Sequence, residues 1–181
     1  MRWIRLLSTL INAKFKKKVK ATDTIKLPFR VWVTDIDVSI MNHAAILTIF
    51  EIGRLDFMVR TNFFKVASKN KWYFPTQAIS VQYYRPLKMF QTAKLFTRIS
   101  YVDDKWIYVE QKIIRKGKEI SACIVKSTIK DGKKSVPTFE IMKALNVTEV
   151  PNEKFKLIEI HETETTYMNE RLLDDWKVNI E

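Results

Sequence analysis

Residues 42–60 form a run without proline in which Ile46, Ile49, Phe50, Gly53 and Phe57 recur at three and four, the period of an α-helix. Ala45, Leu47, Ile52, Leu55, Met58 and Val59 fill the other sides. A helix apolar on nearly every face must be buried on nearly every face. Downstream the period changes to two. Residues 93–102, 106–115 and 119–130 each alternate, and Asp103-Asp104-Lys105 and Lys116-Gly117-Lys118 provide the turns. Residues 72–84 read as another strand with Pro75 near its start, and residues 30–33 as a short strand ahead of the helix. Strands and an all-round apolar helix bury each other most simply when one curved sheet wraps the helix. The expectation is an α+β chain: one strand, a long central helix, then four antiparallel strands, giving a sheet of about five.

The flanking segments carry less signal. Residues 21–28 read as a polar connector, and residues 61–71 as a short helix or loop over one mouth of the sheet. Residues 138–145 read as a short helix capped by Thr138. A helix over residues 165–177 would dock through Tyr167, Leu172, Leu173 and Trp176, with His161 solvated in the acidic stretch before it. This divides the chain into a basic helix and connector at 1–28, one core domain at 29–136 and a C-terminal extension at 137–181.

Charge bounds the partners. The formal net charge is +12, yet residues 1–20 hold seven Lys and Arg without one acid while residues 149–181 are acidic overall. A basic excess fits nucleic acid, anionic lipid or a phosphate-bearing ligand, and composition does not separate the three. Nucleic acid is the weakest, because Tyr83 and Tyr84 would face opposite sides of a strand and form no stacking platform. The first segment places Trp3, Leu6, Leu7, Leu10 and Ile11 together on a helix. It matches neither a secretory signal nor a membrane span. It is either a helix docked on the domain or a partner subunit, or an anchor on an anionic membrane surface of an otherwise cytoplasmic protein.

Chemistry is sparse. Cys123, the single cysteine, sits in an alternating stretch and reads as a buried strand thiol. Cys123 and the two histidines, His43 and His161, lie too far apart in the chain for metal-ligand spacing, and no glycine-rich phosphate loop is present. Asp37 precedes the central helix, where unpaired N–H groups and the positive dipole end can stabilise an oxyanion. Asp37 is a general base or nucleophile there, or a turn residue. Asn42 is a helix cap or a substrate hydrogen-bonding group. Glu51 and Arg54 share a helix face and can pair, and Glu51 is a second catalytic candidate.

Val31-Trp32-Val33-Thr34-Asp35-Ile36-Asp37, Met41-Asn42-His43 and Glu51-Ile52-Gly53-Arg54-Leu55-Asp56, followed by Tyr84-Arg85-Pro86-Leu87 and Asp103-Asp104-Lys105-Trp106, together resemble the hot-dog-fold thioesterases of the 4-hydroxybenzoyl-CoA thioesterase type. The resemblance implies a hot-dog fold, hydrolysis of an acyl-CoA or acyl-carrier-protein thioester, coenzyme A only as part of the substrate, and a homodimer or tetramer with pockets shared between subunits. It matches Asp37 to the second aspartate of the family's Asp-x-Asp, makes the backbone of His43 or Ala44 the oxyanion donor, and leaves His43 as a proton-transfer group. Arg85, with Lys88, Lys94 and Arg98, would hold coenzyme A phosphates, or form a solvated strand face. The chain departs from the pattern by one missing residue, by Ile40 where the box histidine stands, by His43 at the second asparagine and by Ile46 at a common tyrosine. The alternative is an acyl-thioester binder or scaffold without activity.

Overall fold

The computed structural model describes residues 2–149 and 156–175. Five antiparallel strands form one sheet in the order β1-β5-β6-β7-β4, from β1 (Ile25–Arg30), β4 (Thr76–Tyr83), β5 (Thr92–Val102), β6 (Ile107–Arg115) and β7 (Lys118–Ser127). Helix α2 (His43–Arg60) lies against one face, and Ile46, Ile49 and Phe50 pack with Leu95, Ile113 and Val125 of the sheet. This is the wrapped central helix expected from the two periods, a hot-dog fold.

Contact between helix and sheet is closest at Gly53. A Cβ there would lie 2.2 Å from Leu95 Cδ2 and 3.0 Å from Gln111 Nε2. The buried Gln111 ties the layers together. Its Nε2 donates to Phe50 O at 2.8 Å and to Thr97 Oγ1 at 3.0 Å, and its Oε1 accepts from Arg54 Nη1 at 2.8 Å. Every polar atom of that amide is used, which is what a polar group at the centre of a core requires.

The first strand begins at Ile25, in the segment read as connector, instead of at Arg30; Trp32 to Asp35 form a loop with a short 3-10 turn. Pro28 falls inside β1, where its missing N–H is tolerated because β1 is an edge of the sheet. Helix α3 (Phe63–Asn70) and helix α4 (Thr138–Ala144) close a second apolar cluster around Phe57, Ile107, Ile129 and Ile141. Thr138 does not cap α4. Pro137 holds that position, and the Thr138 hydroxyl donates to Asp103 O. A small hairpin of β8 (Ile129–Asp131) and β9 (Lys134–Val136) follows β7 where one long strand was expected.

Helix α1 (Arg2–Phe15) packs along α2. Arg5 clamps Asp35 with two bonds, at 2.9 and 2.7 Å, and Lys16 reaches Asp56 Oδ1 at 2.9 Å. Asp56 is 0% exposed and has Arg60 Nη1 at 3.6 Å as its second cation. A buried carboxylate without such partners would be strongly destabilising. These ion pairs set the rotation of α1: Leu6, Leu10 and Ala13 turn toward the domain, while Leu7 and Ile11 turn away, so four of the five apolar residues expected on one face are divided, and the side chain of the fifth, Trp3, is not described.

Helix α5 (Lys156–Asp175) covers the other face of the sheet. It starts nine residues earlier than expected, and docks through Ile158 and His161 on Tyr108 and Ile124. Tyr167 is exposed, the side chains of Leu172 and Leu173 are not described, and Trp176 lies outside the described residues. His161 is 3% exposed, not solvated. Its Nδ1 lies 2.7 Å from Ser80 Oγ, which donates to Glu164 Oε2 at 3.1 Å, and Tyr108 donates to Glu162 at 2.6 Å. Burial, then the nearby Lys126, hold the His161 pKa below its ordinary 6.5, against the pull of Glu164 and Glu162. The unfolded chain therefore binds the proton first, so the contribution of His161 to docking is present above about pH 6.5 and declines as pH falls below it. The ratio of amide exchange in α5 to that in α2 is expected to rise from pH 7.5 to pH 5.5, a change that His161→Gln should remove; an unchanged ratio in the parent chain would refute this.

Candidate active site

The start of α2 opens on a cleft of about 770 Å³ lined by Asp37, Ile40, Asn42, His43, Ile46, Tyr83, Tyr84 and Arg85 among others. Asn42 is the N-cap: its Oδ1 accepts from Ala45 N at 2.7 Å, and its own N–H is held by Asp35 O at 2.9 Å. Met41 N donates to Leu87 O at 2.7 Å, so both residues entering the helix are fixed to the core. With Ala45 satisfied by the cap and Ile46 by Asn42 O, the helix supplies no acceptor for the N–H groups of His43 and Ala44. Those are the donors that a developing oxyanion would use. Ala44 is exposed and contributes no wall to the cleft.

Asp37 reaches the cleft from a hairpin of β2 (Ile36–Asp37) and β3 (Ile40–Met41). Only Val38 and Ser39 connect the strands, and Val38 adopts a φ of 57° with its side chain fully exposed. A β-branched residue in that region costs of order 1 kcal/mol or more.

The two aspartates have different roles. Asp35 is buried and occupied by Arg5 and by Trp32 N at 2.8 Å, so it orients the loop. The Asp37 side chain is exposed, and among the described residues it has no hydrogen-bonded or ion-paired partner. It is neither a cap nor a turn clasp, since Asn42 and Asp35 fill those positions.

The remaining candidates separate. Glu51 lies eight residues beyond His43, about 12 Å along the helix. With Arg54 it lines a different pocket, of about 200 Å³, among Phe57, Phe63 and Phe74. One subunit does not aim Glu51 and Asp37 at the same carbonyl. Arg54 bonds Gln111, and burial lowers its pKa below the ordinary guanidinium range against the opposing fields of Cys123 and Glu51. Of the four cations considered for phosphates, Arg85 alone lines the cleft. It also donates to Glu119 O at 2.7 Å. Arg98 is paired with Glu110 at 2.6 Å beside another cavity. Burial pushes the Cys123 thiol up to about 12, which leaves it no thiolate for nucleophilic attack.

Tyr83 and Tyr84 were missed as wall residues because strict alternation sends them to opposite faces. Strand β4 ends at Tyr83, and Tyr84 N and Arg85 N both donate to Ile120 O, at 2.8 and 3.2 Å, so the alternation stops there and both rings reach the cleft. Burial raises the Tyr83 pKa above 10.0.

The sequence profile of the thioesterase-like superfamily matches residues 31–163, well over half of the chain. The chain belongs to the thioesterase-like superfamily. The matched region of this superfamily member includes the β2–β3 hairpin, the cleft and α2. A curated relative, Protein THEM6 of Drosophila melanogaster, is 30% identical over 115 residues, covering 62% of this chain and 60% of the relative, so the chain spans less than two thirds of that relative's length. Among solved structures, a probable thioesterase from Bartonella henselae superposes with a TM-score of 0.59 at 24% identity, over 64% of this chain and 98% of that one. The probable thioesterase YbaW from Escherichia coli gives 0.64 at 18% identity, over 70% and 98%. At these identities the superpositions speak for the fold. Among the described residues, no helix is long and apolar enough to cross a membrane.

Proposed function

We propose that this chain hydrolyses an acyl thioester, of coenzyme A or of an acyl carrier protein, in the manner of the 4-hydroxybenzoyl-CoA thioesterase type. The observation that carries the reading is an unpartnered Asp37 carboxylate on the wall of the cleft onto which the start of α2 opens. The thioester carbonyl would sit against His43 at the start of α2, where its N–H or that of the adjoining Ala44, with the helix dipole, would stabilise the oxyanion. Asp37 would act as general base on a water or as nucleophile on that carbonyl. The thiolate leaves and takes up a proton, and the acyl group departs as the carboxylate. Arg85, which lines the cleft, would hold a coenzyme A phosphate, Asn42 and the apolar Ile46 would border the acyl group, and His43 would move a proton to the departing sulfur.

A homo-oligomer accompanies this reading. Strand β4 is an edge of the sheet, its backbone is open on one side and Ile79 and Tyr83 are exposed on it, so a second copy can extend the sheet there.

Purified protein offered short, long and aromatic acyl-CoAs and an acyl-loaded carrier protein should release free thiol from at least one. If every thioester stays intact, hydrolysis is wrong. A second reading is favoured by Ile40, an apolar side chain on the cleft wall where the pattern has a histidine: the chain binds an acyl thioester without cleaving it. Saturable acyl-CoA binding with no thiol release would establish that one.

A further inference from the structure

Helix α1 has two apolar sides, and the fold uses one. Its inner side is consumed by α2, with Arg5 and Lys16 committed to Asp35 and Asp56. On the opposite side Leu7, Ile11 and Phe15, spaced by four, remain 56%, 57% and 86% exposed. Lys14 lies beside this stripe, three residues from Ile11, and the exposed Lys17 follows it just past the helix end. No acid occurs in residues 1–20.

We propose that this outward stripe, Leu7, Ile11 and Phe15 with Lys14 and Lys17, is a docking surface for an anionic phospholipid bilayer. The occupant has to take three apolar side chains and a surrounding positive charge at once. A second copy of the chain meeting this face would bring its own lysines against these and repel. Nucleic acid would satisfy the lysines but offers phosphate and sugar to Leu7, Ile11 and Phe15, and among the described side chains of the stripe only Phe15 is an aromatic on which a base could stack. An anionic bilayer meets both demands: acyl chains receive the apolar row while headgroups attract the lysines. Because the two ion pairs already hold α1 in place, the surface is ordered before it meets lipid, and little ordering entropy opposes binding. The inference depends on α1 alone and stands or falls independently of thioester chemistry.

The test is co-sedimentation of the full chain with vesicles of phosphatidylcholine, with and without phosphatidylserine. Retention is expected on the phosphatidylserine vesicles, and it should weaken from 0.1 M to 0.5 M salt by screening. The triple substitution Leu7→Ser, Ile11→Ser and Phe15→Ser should lower vesicle affinity at least about tenfold. Lys14→Glu with Lys17→Glu, which leaves the packing untouched, should do likewise on the anionic vesicles. Absence of the parent chain from phosphatidylserine vesicles overturns the proposal, as does retention unchanged in the lysine variant. So does a dimer in sedimentation velocity that the triple variant abolishes while vesicle binding persists, since the stripe would then be a contact between copies. An oligonucleotide that binds this chain and loses affinity with the same three apolar substitutions overturns it too.

Discussion

Gly53→Val is expected to lower the unfolding free energy by about 3 kcal/mol or more, with Gly53→Ala losing about 1–2 kcal/mol. An ordinary helical glycine behaves in the opposite way, since alanine is about 1 kcal/mol better in a helix. Here a Cβ meets Leu95 Cδ2 at 2.2 Å, with Gln111 Nε2 and Thr97 Oγ1 at 3.0 and 3.1 Å. Leu95 is fully buried, while Gln111 and Thr97 are held by their mutual hydrogen bond. Relief requires either turning the buried Leu95 side chain into its packed neighbours or lifting α2 from the sheet, which breaks the bond from Gln111 to Phe50 O. Two-state denaturant titrations would read the loss as a lower midpoint at unchanged slope. An alanine variant as stable as the parent would show that the helix does not sit this close.

Asp37→Asn is expected to reduce kcat/KM for thioester hydrolysis by about 10²–10⁴-fold, the usual contribution of a positioned base. The change keeps shape and removes the charge. Since the carboxylate is exposed and makes no hydrogen bond or ion pair among the described residues, stability should stay within about 0.5 kcal/mol of the parent. The loss should fall on kcat with KM little altered, because a base acts on the transition state. An asparagine variant of full activity, folded normally, would remove Asp37 from the chemistry.

The central helix was legible because its apolar residues occupy every side, a pattern with few solutions in a chain of alternating strands. The strands after it were legible for the same reason: Ile107, Val109, Gln111 and Ile113 share the inner face as alternation demands, and Tyr108 and Glu110 the outer. Strand β1 was not, since Ile25-Lys26-Leu27-Pro28 is short and holds a proline that only an edge position excuses. His161 was misread because Glu159, Glu162 and Glu164 surround it in sequence, whereas its burial is set by Tyr108 and Ser80, more than fifty residues away.

The site was legible in part. Two aspartates stand two residues apart, and nothing local says which is free. The decision is made by Arg5, thirty residues upstream, which occupies Asp35. Asn42 as cap followed from its place before the apolar run, and Ala45 N confirms it. The separation of Glu51 from Asp37 is simple helix geometry, yet the pocket that Glu51 faces depends on Phe63 and Phe74 from other elements. Arg98 among the phosphate candidates is set apart for a similar reason: it lies on the outer face, where Glu110 pairs with it.

The most direct measurement is kcat/KM on one acyl-CoA for the parent chain, Asp37→Asn and Glu51→Gln, prepared side by side. With the carbonyl at the start of α2, the asparagine variant loses at least about 100-fold while the glutamine variant stays within about tenfold of the parent. The reverse order, with Glu51→Gln inactive and Asp37→Asn unaffected, would place the chemistry in the pocket by Arg54 and contradict the account.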